Sequence, residues 1–189
     1  MPRAGLSPDA ITQAAAAIVD ADGSTSLTLA RLAAGLGVAP PSLYKHVAGV
    51  DDLLVRVSAF AFGRLADDLT MAALGRSGRS ALVGIARAYR RFAVDHAGLY
   101  SLTQVAPERG SAEQQAQVAR AINVLEATVR SYDVPDDLSL HAIRMVRAGL
   151  HGFVDIEGRG GFQLPQSLDT SFEVLVDALD TALKNLGRG

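Results

Sequence analysis

Ser42, Tyr44, Lys45 and His46 bring a hydroxyl, a phenol, an ammonium and an imidazole together in one short stretch. These groups hydrogen-bond to phosphates and base edges of nucleic acid. The surrounding segment, Thr28 to Val50, contains no acidic residue in a chain whose net charge is −2. Other chemistries find less support. The chain has no Cys, which excludes disulfide scaffolds, Cys-based zinc sites and thiol nucleophiles. Gly75-Arg76-Ser77-Gly78 lacks the spacing of a hydrolase nucleophile turn. His151 and Asp155 are four residues apart and can pair on a helix, but a metal ion needs more ligands. We therefore expect no catalytic residues, no metal site and no cofactor.

The polar cluster needs a frame to hold it. Leu29, Leu32 and Ala33 repeat at helical spacing, with Thr28 before them as N-cap. Gly35 and Gly37 break that pattern and supply the dihedrals of a sharp turn. Val38 fills the angle, and Pro40 and Pro41 open a second, short helix. Leu43 and Val47 face inward on it, leaving Ser42, Tyr44, Lys45 and His46 outward. This is the helix-turn-helix plan, whose second helix enters the DNA major groove. A plain helical hairpin is the competing account. The short second helix, its outward Tyr44, Lys45 and His46, and the absence of acids favour DNA.

The stretch resembles the DNA-binding domain of the TetR/AcrR family of transcriptional regulators. The residues that carry the resemblance are Leu29, Ala33, Gly37, Val38, Leu43, Tyr44, His46 and Val47, followed by Asp52-Leu53-Leu54. It implies an all-α protein of about nine helices. An N-terminal three-helix DNA-binding domain over 1–50 would precede a ligand-binding and dimerisation domain over 51–189, with 51–73 as the connector helix. Carried across, the resemblance assigns DNA contacts to Thr28, Arg31, Pro40, Pro41, Ser42, Tyr44, Lys45 and His46. Arg31 reads equally well as a solvated helix residue. The family's Lys at the start of the connector is Val50 here.

A second resemblance lies in Arg147-Ala148-Gly149-Leu150-His151-Gly152-Phe153. It is similar to the Trp-x-x-x-His-Gly signature of one C-terminal subfamily, the WHG subfamily, with Arg147 at the Trp position. An Arg there suits an anionic or carbonyl ligand, or a neighbouring carboxylate. The resemblance implies a largely apolar cavity for a small-molecule effector. Its candidate lining is Phe60, Tyr89, Phe92, His96, Tyr100, Gln104, Leu125, Arg147 and His151, although the apolar members serve equally well as core.

Charge and composition set limits. From Met1 to Arg56 the acids outnumber the bases by one, where a DNA-binding domain is normally basic. Phosphate binding then falls to helix N-termini, hydroxyls and the pairing of two subunits. A chain of 189 residues, 49% of them hydrophobic, can bury a full core. No apolar run reaches the length of a membrane span, and the N-terminus lacks a signal core, so a cytoplasmic protein is expected.

Along the chain, Arg3 sits in an N-terminal arm, and Ser7-Pro8-Asp9 starts the first helix. Val118, Ile122, Leu125 and Val129 mark an inward face, and Pro107 to Gly110 interrupts the chain. Two later helices combine apolar and small residues: Gly149, Gly152 and Phe153 on one, Phe172, Leu175, Val176, Leu179 and Leu183 on the other. We assign these residues to a two-fold, four-helix dimer interface. Packing against the chain's own body is the alternative. The expected function is a DNA-binding regulator, a repressor released from a palindromic operator on double-stranded DNA by a small-molecule ligand. It would act as a homodimer without membrane attachment. The alternative is a helical enzyme or carrier of a small apolar molecule.

Overall fold

A computed structural model describes residues 6–104 and 111–188. Arg3 and the Pro107–Gly110 break lie outside the described residues. These residues form α-helices and short 3-10 turns, with no strand among them. The helices are α1 (Pro8–Asp22), α2 (Leu29–Leu36), α3 (Val50–Ala73), α4 (Gly78–Asp95), α5 (Ala97–Leu102), α6 (Ala112–Arg130), α7 (Asp136–Gly158) and α8 (Leu168–Leu186). A 3-10 turn at Ser24–Ser26 precedes α2, and a 3-10 segment at Pro40–Lys45 follows it. No helix among the described residues is long and apolar enough to cross a membrane.

Local chemistry accounts for the helix starts. The Ser7 hydroxyl accepts from the Ala10 amide at 3.2 Å, and Pro8 occupies the first turn, where its missing N–H costs nothing. Thr28 caps α2 by accepting from the Arg31 amide at 3.1 Å. Ser167 caps α8 through the Thr170 amide at 3.3 Å.

The described residues divide into two compact units. One holds the chain up to Arg64 together with the part from His96 to Val118; the other holds Leu65–Asp95 and the part from Ala119 onward. The division falls inside α3.

In the first unit, Ile11, Ala15 and Val19 of α1 are buried, as are Leu32 and Ala33 of α2. Leu43, Val47, Leu53, Val57 and Ala61 extend that interior. α5 lies directly on α1 at Gly98. A Cβ there would collide with the Val19 carbonyl oxygen and stand 2.8 Å from the Asp20 Cα, so only glycine fits. A polar chain joins the same elements. His96 Nδ1 lies 2.6 Å from an Asp20 carboxylate oxygen, and Arg64 reaches His96 Nε2 at 3.5 Å. Arg can only donate, so Nε2 accepts and Nδ1–H donates to Asp20.

In the second unit Arg90 of α4 ties three helices. It pairs with Glu157 of α7 at 2.6 Å and Asp169 of α8 at 2.8 Å. Its guanidinium also lies 4.9 Å from the Phe172 ring centre and 5.6 Å from that of Phe153. The hydrogen bonds that Arg90 donates to Glu157 lead the effects that hold its pKa above the ordinary arginine value. Tyr132 donates to buried Asp180 at 2.8 Å, and Lys184 pairs with Asp180 at 2.6 Å.

Some details differ from the expected pattern. Ile122 is 42% exposed, and Ala121 takes the inward place beside Leu125 and Val129. Phe153, Phe172, Val176, Leu179 and Leu183 are buried within the protomer itself, so they have almost no surface left for a second copy. Leu175 and Leu179 pack against Gly149, 3.5 Å from where its Cβ would stand. The small residue there admits a neighbouring helix of the same chain. This corrects the dimer assignment for those side chains: an apolar stripe has the same spacing whether it meets its own chain or another.

Candidate nucleic-acid interface

The geometry of the interface is set by how α2 ends. Gly37 adopts the left-handed conformation, φ 66° and ψ 32°, and its N–H closes on the Ala34 carbonyl. The Val38 amide reaches back to Ala33 at 3.0 Å, turning the chain sharply. Gly35 lies within α2 and carries no unusual dihedral, so Gly37 alone makes the turn.

The segment that follows is a 3-10 helix instead of the short α-helix expected. Pro40 and Pro41 have no N–H, so the first donor available is Ser42, which bonds to Ala39 at 2.9 Å. Three-residue closure recurs at His46, whose amide bonds to Leu43 at 2.8 Å. A 3-10 helix repeats every three residues, so Leu43 is sealed in the interior while its neighbours point away. Pro40, Pro41, Tyr44 and Lys45 are exposed, and Ser42 and His46 are half-buried. Tyr44 is 62% exposed, unusual for so large an aromatic ring. Thr28 stands at the start of α2, exposed, with its hydroxyl proton left to donate after its oxygen has capped the helix. The expected DNA-contact residues thus lie on the turn and at the mouth of α2.

The charges around this surface are mostly neutralised. Arg31 forms an ion pair with Asp22. Arg56 pairs with Asp52 at 2.9 Å one turn into α3. Asp52 also accepts from the Ala48 amide at 3.1 Å, pinning the loop that leaves the 3-10 segment. Burial works against its charge, but the Ala48 and Arg56 hydrogen bonds outweigh it and hold the carboxyl below its ordinary range. Lys45 has no ion pair among the described residues. Sequence spacing did not reveal that Arg31 would be occupied, because Asp22 lies beyond the intervening 3-10 turn.

The expected ligand-lining residues are distributed between the two units. Phe60, His96, Tyr100 and Gln104 belong to the first, and Tyr89, Phe92, Leu125, Arg147 and His151 to the second. Tyr89, Phe92, Tyr100 and Leu125 are buried. Arg147, a candidate for that lining, is exposed. A hollow of about 560 Å³ in the second unit is lined by Thr70, Leu74, Arg120, Val124, Thr128 and Ser131, none of them expected. The buried polar residues Ser58, Thr103 and Gln114 of the first unit were also missed. Gln114 had a readable signal, since it lies seven residues, two helical turns, before Ala121 on the face that Leu125 and Val129 continue.

Residues 82–179 match the family model described as the tetracyclin repressor-like C-terminal domain. An HTH-type transcriptional regulator of Mycobacterium tuberculosis, Rv0681, is 32% identical over 158 residues, covering 83% of this chain and 72% of that protein. The chain belongs to the TetR family. A second HTH-type regulator, YobS of Bacillus subtilis, is 29% identical over 191 residues and covers 98% of both chains. Among solved structures, apo ActR from Streptomyces coelicolor superposes with a TM-score of 0.71 at 22% identity, over 97% of each chain. That similarity shows the shared fold. The TetR-family chain described here is accordingly a DNA-binding transcriptional regulator and not an enzyme, which sets aside the enzyme or carrier alternative. TetR-family regulators bind operators, form dimers and respond to small molecules; ActR has also been solved in complex with actinorhodin.

Proposed function

We propose that this regulator is a homodimeric repressor that a small-molecule effector releases from a palindromic operator. The observation that carries the reading is the exposed Tyr44–Lys45 pair on a proline-started segment anchored in the core by Leu43 and Val47. The segment inserts in the major groove, with Lys45 at a guanine or phosphate. Tyr44, Ser42, Thr28 and His46 hold the DNA backbone, and Pro40 and Pro41 lie against thymine methyl groups. Arg31 contributes to DNA only when it leaves Asp22.

One such head carries few available cations, so two must bind together. We assign the dimer surface to the exposed faces of α7 and α8, with Leu140, Arg144 and Ala148 on the first and Val174, Ala178 and Thr181 on the second. Gly149 and Gly152 lie beside that face. Half-sites would be about one helical turn apart, roughly 34–36 Å. Effector binding favours a second arrangement, and α3 passes the change to the spacing of the heads. The protein works in the cytoplasm.

A gel shift using DNA that flanks the chain's own gene tests this reading. Specific retardation that weakens only gently with added salt is expected, because few phosphates are neutralised by Lys or Arg. Absence of a specific shift, or a steep salt dependence implying many released counterions, refutes it.

A further inference from the structure

Two of the eighteen basic residues in the chain are lysines, Lys45 and Lys184; the other sixteen are arginines. The difference is chemical. A neutral lysine amine attacks an activated acyl group and a guanidinium does not, so only two side chains are open to acylation. They stand in different states. Lys184 is held at 2.6 Å by Asp180, a carboxylate only 5% exposed that also accepts from Tyr132 at 2.8 Å. Its nitrogen has to leave that pair before it can react. Lys45 is exposed at the end of the 3-10 segment, between the buried anchors Leu43 and Val47. Its ammonium makes no ion pair among the described residues.

The ion pairs that tie helices together in the second unit use arginine: Arg79 with Asp177, Arg90 with Glu157 and Arg120 with Asp67. A guanidinium would also meet guanine through two hydrogen bonds in a fixed fork, where an ammonium acts as a point charge. Lysine at position 45 therefore gives the less specific contact but a charge that can be removed. Its removal matters because the neighbouring charges are spent. Within residues 6–56, Arg31 is occupied by Asp22 and Arg56 by Asp52, which leaves Lys45 as the one basic residue of that span without an ion pair.

We propose that Lys45 is an acylation site that switches off DNA binding, and that its donor is a small activated acyl group, an acyl phosphate or an acyl thioester. The proposal rests on the reading of this segment as the DNA-binding surface. The deprotonated Nζ attacks the acyl carbonyl carbon and a C–N bond forms. The C–O bond to phosphate, or the C–S bond to the thiol, breaks, and the Nζ proton leaves with that group. The resulting amide is neutral, so one reaction removes the uncommitted positive charge of the head. DNA seated on Lys45 covers the nitrogen, so operator binding and acylation exclude one another.

The test incubates the full chain with acetyl phosphate in one arm and acetyl-CoA in the other, with and without the DNA that flanks its own gene. Peptide mass spectrometry follows acetylation at Lys45 and Lys184 separately. Lys45 is expected to react about tenfold faster than Lys184 in at least one arm, because Lys184 must first give up a charge-assisted hydrogen bond. Bound DNA should slow the reaction at Lys45 and not at Lys184. The arm that reacts identifies the donor. Acetylated wild type is then expected to bind operator about a hundredfold more weakly in a gel shift. Lys45→Arg keeps a cation that cannot be acylated, so the same treatment should leave its affinity at its own untreated value. Three results would overturn the proposal: Lys45 reacting no faster than Lys184 in both arms, wild type keeping its affinity once Lys45 is acetylated, or treated Lys45→Arg losing affinity as wild type does. The untreated gel shift separates the two readings. If untreated wild type does not bind the DNA, the regulator reading fails; if it binds and the acetylation results go the other way, only the acylation site fails.

Discussion

In the recognition segment Lys45 has no ion pair among the described residues and Tyr44 is largely exposed, whereas in the second unit Arg90 is 18% exposed and held by two carboxylates and two aromatic rings. The same kinds of side chain thus stand in opposite states. A cation that must meet a phosphate has to remain hydrated and unpaired until DNA arrives. A cation that ties helices together is already desolvated, so removing it leaves carboxylates behind. Arg31 stands between these extremes, on an element of the proposed DNA interface yet paired with Asp22. Unpaired polar groups therefore distinguish the proposed DNA-binding surface better than the count of basic residues does.

Substitutions can test that contrast, beginning with the largest effect. Tyr44→Ala or Lys45→Ala should weaken operator binding by about two orders of magnitude, measured by gel shift. Dimer mass and melting temperature should not change, because neither side chain is part of the core. Arg90→Leu should do the opposite, lowering unfolding free energy by about 3 kcal/mol in a denaturant titration because Glu157 loses its partner. Its operator affinity at temperatures well below melting should stay near wild type. A loss of affinity matching that of Lys45→Ala would break the division between the two regions.

Tyr132→Phe is a smaller test, expected to cost about 1 kcal/mol through the lost bond to Asp180. Burial, and then the bond to Asp180, raise the Tyr132 pKa above its ordinary value of 10.0. Its contribution is therefore complete below about pH 10 and is lost as pH rises toward the raised value. The variant should flatten the alkaline limb of a stability profile. Asp180 behaves in the other sense. Burial opposes its charge, yet the Lys184 and Tyr132 hydrogen bonds lower its pKa below 3.8. Its contribution is present above about pH 4 and falls away as pH drops further. The smallest effect is expected from Asp22→Asn, which frees Arg31. Operator affinity should rise only a few-fold, with a steeper salt dependence in a fluorescence titration.

The helix-turn-helix was legible because short-range rules govern it. Leu32, Ala33, Leu43 and Val47 are buried as their spacing requires, and Thr28 caps α2 as its side chain permits. Two adjacent prolines were read as a helix start, but their combined loss of donors made the segment 3-10. Long-range pairings were not legible. His96 meets Asp20 across 76 positions, and Ser58 meets Gln114 across 56. No local periodicity encodes such a meeting. The interior-facing stripes of α7 and α8 were visible, but what covers them was not. Phe153 and Phe172 meet edge to face, ring centres 5.1 Å apart, within one protomer. Amphipathic spacing tells that a face is covered without saying by which chain.

Gly98 gives the contact between α5 and α1 a mechanical character. Side chains at an interface act as soft springs, because rotamers can shift and absorb a small displacement before the backbone moves. At Gly98 nothing of the kind intervenes, and the backbone of α5 meets the Val19 carbonyl and Asp20 directly. The contact is stiff in compression: an inward movement of α5 by a fraction of an ångström has to displace α1 or strain the chain. Such a joint carries small motions with little loss, and it also leaves no tolerance for a larger residue at position 98.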